Sequence, residues 1–388
     1  MQETNKIFYR KIQLPFKIKK PVLAAGSQKK NTVCFGEDRY AYLSGVHSDL
    51  TNPKDYLSFE KDMKYFIAKN PKIIAQDLHP EYQSTKYIQQ LSASAGGGSA
   101  LGGIRYTLYA IQHHHAHIVS CMAENRLKNQ KVIGVAFDGT GLGIDNTLWG
   151  GEFLLCDYRD FKRLAHLREI PLLGQEKAIQ EPARLAAAWL YLIYKDRFLN
   201  LDIGLVKKIK RPEWRVLKNM YLSRFNSPLT SSMGRLFDAV ASLVLERTKV
   251  AGEAELAIEL EKIAKRYALN ALPYKFNIIK KEVYIIDPLP IFKGIISDLK
   301  ARETKEKIAY RFHLTVAQMI REMSSLLRKK TRINKVILSG GVFQNNLLRS
   351  LSIGLLYKDG FDVLTHKDLS CNDSAISLGQ LAVANYRG

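Results

Sequence analysis

The chain has 388 residues, more than one small core organises, so two lobes or domains are expected at ~100 to 200 residues each. Its 46% hydrophobic and 25% charged content excludes a largely disordered protein. No apolar run approaches the ~18 residues of a membrane span, and MQETNKIFYRK lacks the apolar core of a signal peptide, so the expected setting is cytoplasmic with no membrane partner.

The formal net charge of +22 is compatible with nucleic acid, an acidic protein or an anionic substrate. The basic residues are spread through segments such as KKIKRPEWR without aromatic interleaving or a helix-turn-helix pattern, which weighs against nucleic acid. The four cysteines, Cys34, Cys121, Cys156 and Cys371, include no CxxC, so neither a zinc ribbon nor a disulfide framework is indicated.

In chain order, residues 21–45 read as strand, turn, strand, because alternating apolar residues flank a Gly/Asn-containing break. Residues 92–103, SASAGGGSALGG, form the one low-complexity run and are expected to be a flexible connector. A second hairpin is expected over 132–157, where Val132 to Phe137 precede Asp138-Gly139-Thr140-Gly141. The two hairpins resemble equivalent elements opening two related lobes. Helical periodicity follows in EPARLAAAWLYLIYK, SSMGRLFDAVASLVLERTK, residues 253–267 and TKEKIAYRFHLTVAQMIREMSSLLRKK. A third apolar strand, Val336 to Leu338, then enters Ser339-Gly340-Gly341 and a helix, a favourable place for backbone N–H groups to meet phosphate.

Four of the nine histidines fall within five positions, at His113, His114, His115 and His117. On a helix His113 and His117 stand one turn apart, a spacing that suits two imidazoles on one metal with carboxylates supplied from elsewhere. The simpler alternative is a packed or capping cluster, and His114 and His115, pointing elsewhere, are candidates for substrate contact. Asp138 closes an apolar strand beside a glycine loop, which fits either a metal- or phosphate-side carboxylate or an Asx turn. Asp373 is either a helix N-cap or the carboxylate that completes the histidine site. Gly340, Gly341 and Asn345 are candidates for a nucleotide contact, the alternative being a tight turn with a capping asparagine.

In order, LAAGSQKKNT, DLHPEYQSTKY, AIQHHHAHIVSCMAEN, VIGVAFDGTGLGIDNTLWGGEF, SSMGRLFDAV, VILSGGVFQNNLL and CNDSAISLGQLAVAN closely resemble the C-terminal domain of HypF, the carbamoyltransferase of nickel–iron hydrogenase maturation, over roughly residues 15–387. The resemblance implies an α/β fold of two actin/Hsp70-like lobes with duplicated hairpin sheets, lobe I over 15–128 and a helix-rich lobe II over 129–388. It implies iron or zinc on His113, His117 and Asp373, with Asp138 at the same centre and magnesium as a further candidate. Gly139, Thr140, Gly141, Gly340, Gly341 and Asn345 would hold the AMP moiety of carbamoyl adenylate, with Lys30 and Asn31 toward the phosphate. His114, Asp138 and Lys30 are the residues expected to serve the transfer. The acceptor would be the C-terminal cysteine of a HypE-like partner, and the donor would come from a separate adenylate-forming protein or domain.

Two departures stand out: Glu253 occupies a position where the family more often has Gln, and Ser374-Ala375 replace a Gly-Gly pair. Related readings are a tRNA threonylcarbamoyl transferase, a small-molecule O-carbamoyltransferase and a non-catalytic ATP-binding scaffold.

Overall fold

A computed structural model describes residues 9–93, 100–101, 104–267 and 270–388. Most of the expected connector at 92–103 lies outside the described residues. Two sheets form the frame. The first has six strands, in the order Arg10–Gln13, Tyr40–Leu43, Cys34–Glu37, Val22–Ala24, Ile73–Asp77 and Thr107–Ile111. The second has seven, in the order Asn277–Lys280, Tyr284–Asp287, Phe161–Leu167, Gly151–Cys156, Val132–Phe137, Lys335–Ser339 and Asp362–Leu364.

Five strands of each sheet share one plan. An antiparallel three-strand meander begins at Val22–Ala24 in one and Val132–Phe137 in the other, and two parallel strands follow on the far side of that first strand. The sequence hairpins are therefore the openings of two duplicated sheets, each one strand longer than a hairpin. Val132–Phe137 is buried along its whole length, which explains its unbroken apolar sequence: a central strand covered on both faces has no polar side to show.

The long segment between Phe161–Leu167 and Lys335–Ser339 supplies the second lobe's helices, among them Ala183–Tyr194, Met233–Leu245, Glu255–Ala264 and Lys305–Thr331. Ser232 and Thr304 cap two of these by accepting from Arg235 N and Lys307 N, so the SSMGR and TKEK starts read from sequence mark real helix entries. Among the described residues, no helix is long and apolar enough to cross a membrane.

Two helices lie between the sheets. His113–Glu124 packs on Val132–Phe137, Gly151–Cys156 and Lys335–Ser339, while Ile376–Arg387 packs on the first sheet, and the two helices pack on each other. This arrangement buries His113–Glu124 on nearly every side, unlike a surface helix with one apolar stripe. Its C-terminal end is fastened by Glu124, whose carboxylate lies 2.5 Å from His366 Nδ1 and accepts the backbone N–H groups of Lys367, Asp368 and Leu369.

Burial alone would raise the Glu124 carboxyl, but the His366 contact and the backbone donors outweigh it and hold it below the ordinary carboxylate value. A depressed folded-state value contributes stability above the unfolded pKa of ~4.3 that is lost as pH falls through the folded value. Glu124→Gln should therefore destabilise the protein at neutral pH and flatten the loss of stability below about pH 4. Denaturant midpoints across pH check this, and parallel wild-type and variant curves would contradict it.

Candidate metal centre and nucleotide cleft

The parallel strands of both sheets end at one crevice, the usual position of ligands in open α/β sheets. Asp77 closes Ile73–Asp77, Gln112 follows Thr107–Ile111, Asp138 follows Val132–Phe137 and Gly340 follows Lys335–Ser339. Gln112 begins the histidine helix by accepting the His115 N–H at 2.9 Å.

That helix aims His113 Nε2 and His117 Nε2 at the same carboxylate oxygen, Asp138 Oδ2, at 3.3 and 3.2 Å. Asp373 Oδ1 stands 3.8 and 3.6 Å from the same two nitrogens. One donor atom from each of these four residues lies within 4.8 Å of the others. The group fits a divalent transition metal. Two imidazole nitrogens with two carboxylate oxygens suit iron or zinc better than magnesium, which prefers an all-oxygen shell, and four protein ligands leave positions open on a five- or six-coordinate ion.

The electrostatics point the same way. Burial pulls the His113 and His117 imidazoles down, yet the surrounding carboxylates win and raise both above the ordinary value. Burial raises Asp138, and the two histidines more than reverse it. The histidines and carboxylates of the cluster thus stabilise one another's charged forms.

Outer contacts fix these groups. His113 Nδ1 lies 2.8 Å from Asp77 Oδ2, the carboxylate–histidine arrangement that orients a metal ligand. Asp138 uses its other oxygen, Oδ1, to accept Gly341 N–H at 3.0 Å. Gly340 makes that turn at φ +106°, where an added Cβ would stand 2.3 Å from Phe137 O, so glycine is required there. Asp373 is not the helix cap: Asn372 accepts the Ser374 N–H, which leaves the Asp373 carboxylate free to face the histidines.

The glycine loop has one side toward the cluster. Gly141 lies against the His113 and His114 rings, and Thr140 is exposed at the cleft. The backbone N–H groups of Gly139 and Thr140 form no hydrogen bond among the described residues, as suits a phosphate cradle. Ser232 holds the loop from behind by donating to Asp138 O or Gly139 O, each at 2.7 Å. Lys30 has φ +46° and forms no ion pair among the described residues. Its neighbour Lys29 pairs with Glu253 at 3.7 Å.

The geometry gives several of the other candidate residues partners within the protein. Asn31 faces inward, its amide donating to Ala25 O and Ser27 O and its carbonyl oxygen meeting His47 Nδ1, so it shapes the Lys30 loop and has no free group for phosphate. Asn345 caps the following helix through Leu348 N–H and meets His313, so its side chain already serves the protein's own packing. The Gly340 and Gly341 N–H groups are taken by Cys371 O and Asp138, so that turn orients a carboxylate in place of binding phosphate. His115 is turned away to Asp157 O, with burial lowering its pKa to about 4. His114 is fully buried beside Gln112, with Nε2 lacking a partner and burial holding its pKa far down; it is a neutral group under the glycine loop. Asp77 and Ser232 were not singled out in the sequence, although both sit inside or beside the motifs that were.

The family described as "HypF Kae1-like domain" matches residues 17–124, and "Carbamoyltransferase, Kae1-like Domain, second subdomain" matches residues 134–380. The chain belongs to this HypF family. It is 35% identical to Carbamoyltransferase HypF of Synechocystis over 95% of its own length and 48% of that protein's. It is 32% identical to a shorter Carbamoyltransferase HypF homolog of Cupriavidus necator, over 94% of this chain and 91% of the relative. The chain thus spans about half the length of the Synechocystis HypF protein and nearly all of the shorter homolog.

Among solved structures, full-length HypF in a phosphate- and nucleotide-bound form superposes with a TM-score of 0.87 at 36% identity, covering 97% of this chain and 57% of that one. HypF of T. kodakarensis gives 0.83 at 27% identity, over 97% of this chain and 49% of that one. The duplicated sheets and the helix-rich second half are accordingly the α/β architecture of the HypF domain.

Proposed function

We propose that this HypF-family domain transfers a carbamoyl group from carbamoyl adenylate to the thiol of a protein acceptor, the C-terminal cysteine of a HypE-like partner. The observation that carries the reading is the His113, His117, Asp138 and Asp373 cluster at strand ends, directly beside a glycine loop with free amides. Division into lobes near residue 128 accompanies it, each lobe contributing one wall of the cleft.

In this reading Gly139 and Thr140 present N–H groups to the adenylate phosphate, and Lys30 adds a positive charge from the opposite wall. Asp138 and Asp373 face the reacting end with His113 and His117, the set that would hold iron or zinc. When bound, such an ion supplies Lewis-acid polarisation of the carbonyl or phosphoryl oxygen. Magnesium, if used, would accompany the phosphate. The acceptor sulfur forms a bond to the carbamoyl carbon, the carbon–oxygen bond to AMP breaks, and the thiol proton leaves to solvent. No nucleophile from this chain is needed, in keeping with four buried cysteines whose thiols burial holds protonated.

The donor would be made by another domain or protein. The reported relatives are HypF proteins, which does not favour the tRNA-modifying or small-molecule alternatives. The test incubates metal-loaded protein with carbamoyl adenylate and a HypE-like partner and follows the partner's mass. A carbamoyl group on its terminal cysteine is the expected result, and an unmodified partner sinks the reading.

A further inference from the structure

The crevice continues past the metal cluster along the edge of the second sheet. Asp362–Leu364 runs parallel to Lys335–Ser339 on the side away from Val132–Phe137, the strand that delivers Asp138. Where these two outer strands end, the chain leaves a cavity of about 240 Å³, lined by Leu338 and Thr365 at the strand ends and by Gln344, Arg349, Lys367 and Cys371 among others. Neighbouring strands lie about 4.8 Å apart, so the cavity stands one to two strand spacings, roughly 5 to 10 Å, from the strand that delivers Asp138.

Two linkages join it to the cluster. Gln344 donates to Gly341 O at 3.1 Å and accepts from the Asn372 amide at 3.0 Å, so it spans the turn that holds Asp138 and the residue next to Asp373. Cys371 O accepts the Gly340 N–H at 3.0 Å, two residues before Asp373.

The cavity carries charge of one sign. No carboxylate lines it, whereas Arg349 and Lys367 both do, and neither forms an ion pair among the described residues. Arg349 is half-buried and steadied by donating to Asn346 Oδ1 at 2.8 Å. A guanidinium has further N–H donors in a fork that matches a carboxylate, and among the described residues this side chain makes no other hydrogen bond. At about 240 Å³ the space falls below the roughly 300 Å³ at which sites for drug-sized ligands begin, which suits a chain end better than a nucleotide.

We propose that this cavity receives the C-terminal carboxylate of the acceptor protein, with Arg349 as its principal contact and Lys367 as a second positive charge. This rests on the reading above, in which the acceptor thiol belongs to a C-terminal cysteine. Thiol and carboxylate then sit on one residue, and holding the carboxylate beside the cluster turns the sulfur toward the reacting carbon. A terminal cysteine is thereby selected over an internal one. The adenylate phosphate is the other oxyanion that these cations could meet, and the test separates the two.

A HypE-like partner is prepared by ligation with its C-terminal cysteine as the free acid or as the amide. Each form is offered, with carbamoyl adenylate, to metal-loaded wild type, Arg349→Gln and Lys367→Gln. Wild type should modify the acid with a kcat/KM roughly tenfold or more above that of the amide, the scale of one charge-assisted hydrogen bond. In Arg349→Gln that preference should largely vanish, mostly through KM, and in Lys367→Gln it should shrink less. Melting temperature and metal content verify folding, and if Arg349→Gln does not fold, the wild-type comparison and Lys367→Gln still decide. Equal use of acid and amide by wild type, or a preference undiminished in the variants, would overturn the site. A loss of AMP affinity as large as the loss toward the acid would assign the cavity to the nucleotide phosphate and overturn it too. A wild type that carbamoylates neither form would overturn the transferase reading; the binding affinities of acid and amide then decide the cavity alone, tighter binding of the acid supporting it and equal binding counting against it.

Discussion

Asp138→Ala is expected to empty the metal centre and to abolish carbamoyl transfer. The residue's Oδ2 is the atom on which both histidine Nε2 atoms converge, and its Oδ1 is locked by the Gly341 N–H. Removing it takes away a ligand and also frees the turn that sets the edge of the cleft. A graded comparison sharpens the expectation. Asp77→Asn leaves all four candidate ligands in place but weakens the support of His113 Nδ1, for which a loss of about 10- to 100-fold in metal affinity is the usual scale. Asp138→Ala should exceed that loss. Metal content of purified proteins, with competitive chelator titration for Asp77→Asn, gives both numbers. Full metal occupancy in Asp138→Ala would remove the assignment.

Gly379→Val is expected to destabilise the whole domain by about 3 kcal/mol, the upper part of the range for overpacking a close-packed interior. Gly379 sits where the two central helices touch, and a Cβ there would meet Ala116 O at 2.0 Å. Neither backbone can step aside, because each helix is pressed on its outer side by a sheet. Ala116 is flanked by His115 and His117, so a shift that relieved the clash would move a candidate metal ligand as well. Both readouts follow: a lower denaturation midpoint, and weaker metal binding in the fraction that folds. A variant with the wild-type midpoint would show that the helices separate more easily than their packing indicates.

The two effects show which parts of this protein can be read from its sequence. Strand and helix identity were legible because Val132–Phe137 is covered on both faces and Ser232 and Thr304 are local caps. The convergence of His113, His117, Asp138 and Asp373 was suggested by spacing only for the histidine pair; Asp138, 21 to 25 positions from the histidines, and Asp373, near the other end of the sequence, were joined to it through the resemblance. Three-dimensional competition decided the rest. A glycine N–H near a nucleotide motif appears free until Asp138 is seen to occupy it. Asn31 and Asn345 have polar side chains in suggestive places, but buried backbone groups and a helix end claim them first. Asn372 and Asp373 are adjacent candidates for one cap, and nothing local determines that asparagine takes it.

The exchange of helices between the sheets has a consequence for how the protein comes into being. Gly26 N–H is received by Gln380, 354 positions later, and Thr32 reaches Ser374 and Ser377. The first sheet must therefore wait for residues made 354 positions later, and contacts of such long sequence separation form slowly. A ribosome-bound chain that has emerged only through residue 370 already displays all four clustered histidines but lacks Asp373 and the helix that braces them. Synthesis itself thus delays assembly of the complete His113, His117, Asp138 and Asp373 cluster until Asp373 has been made.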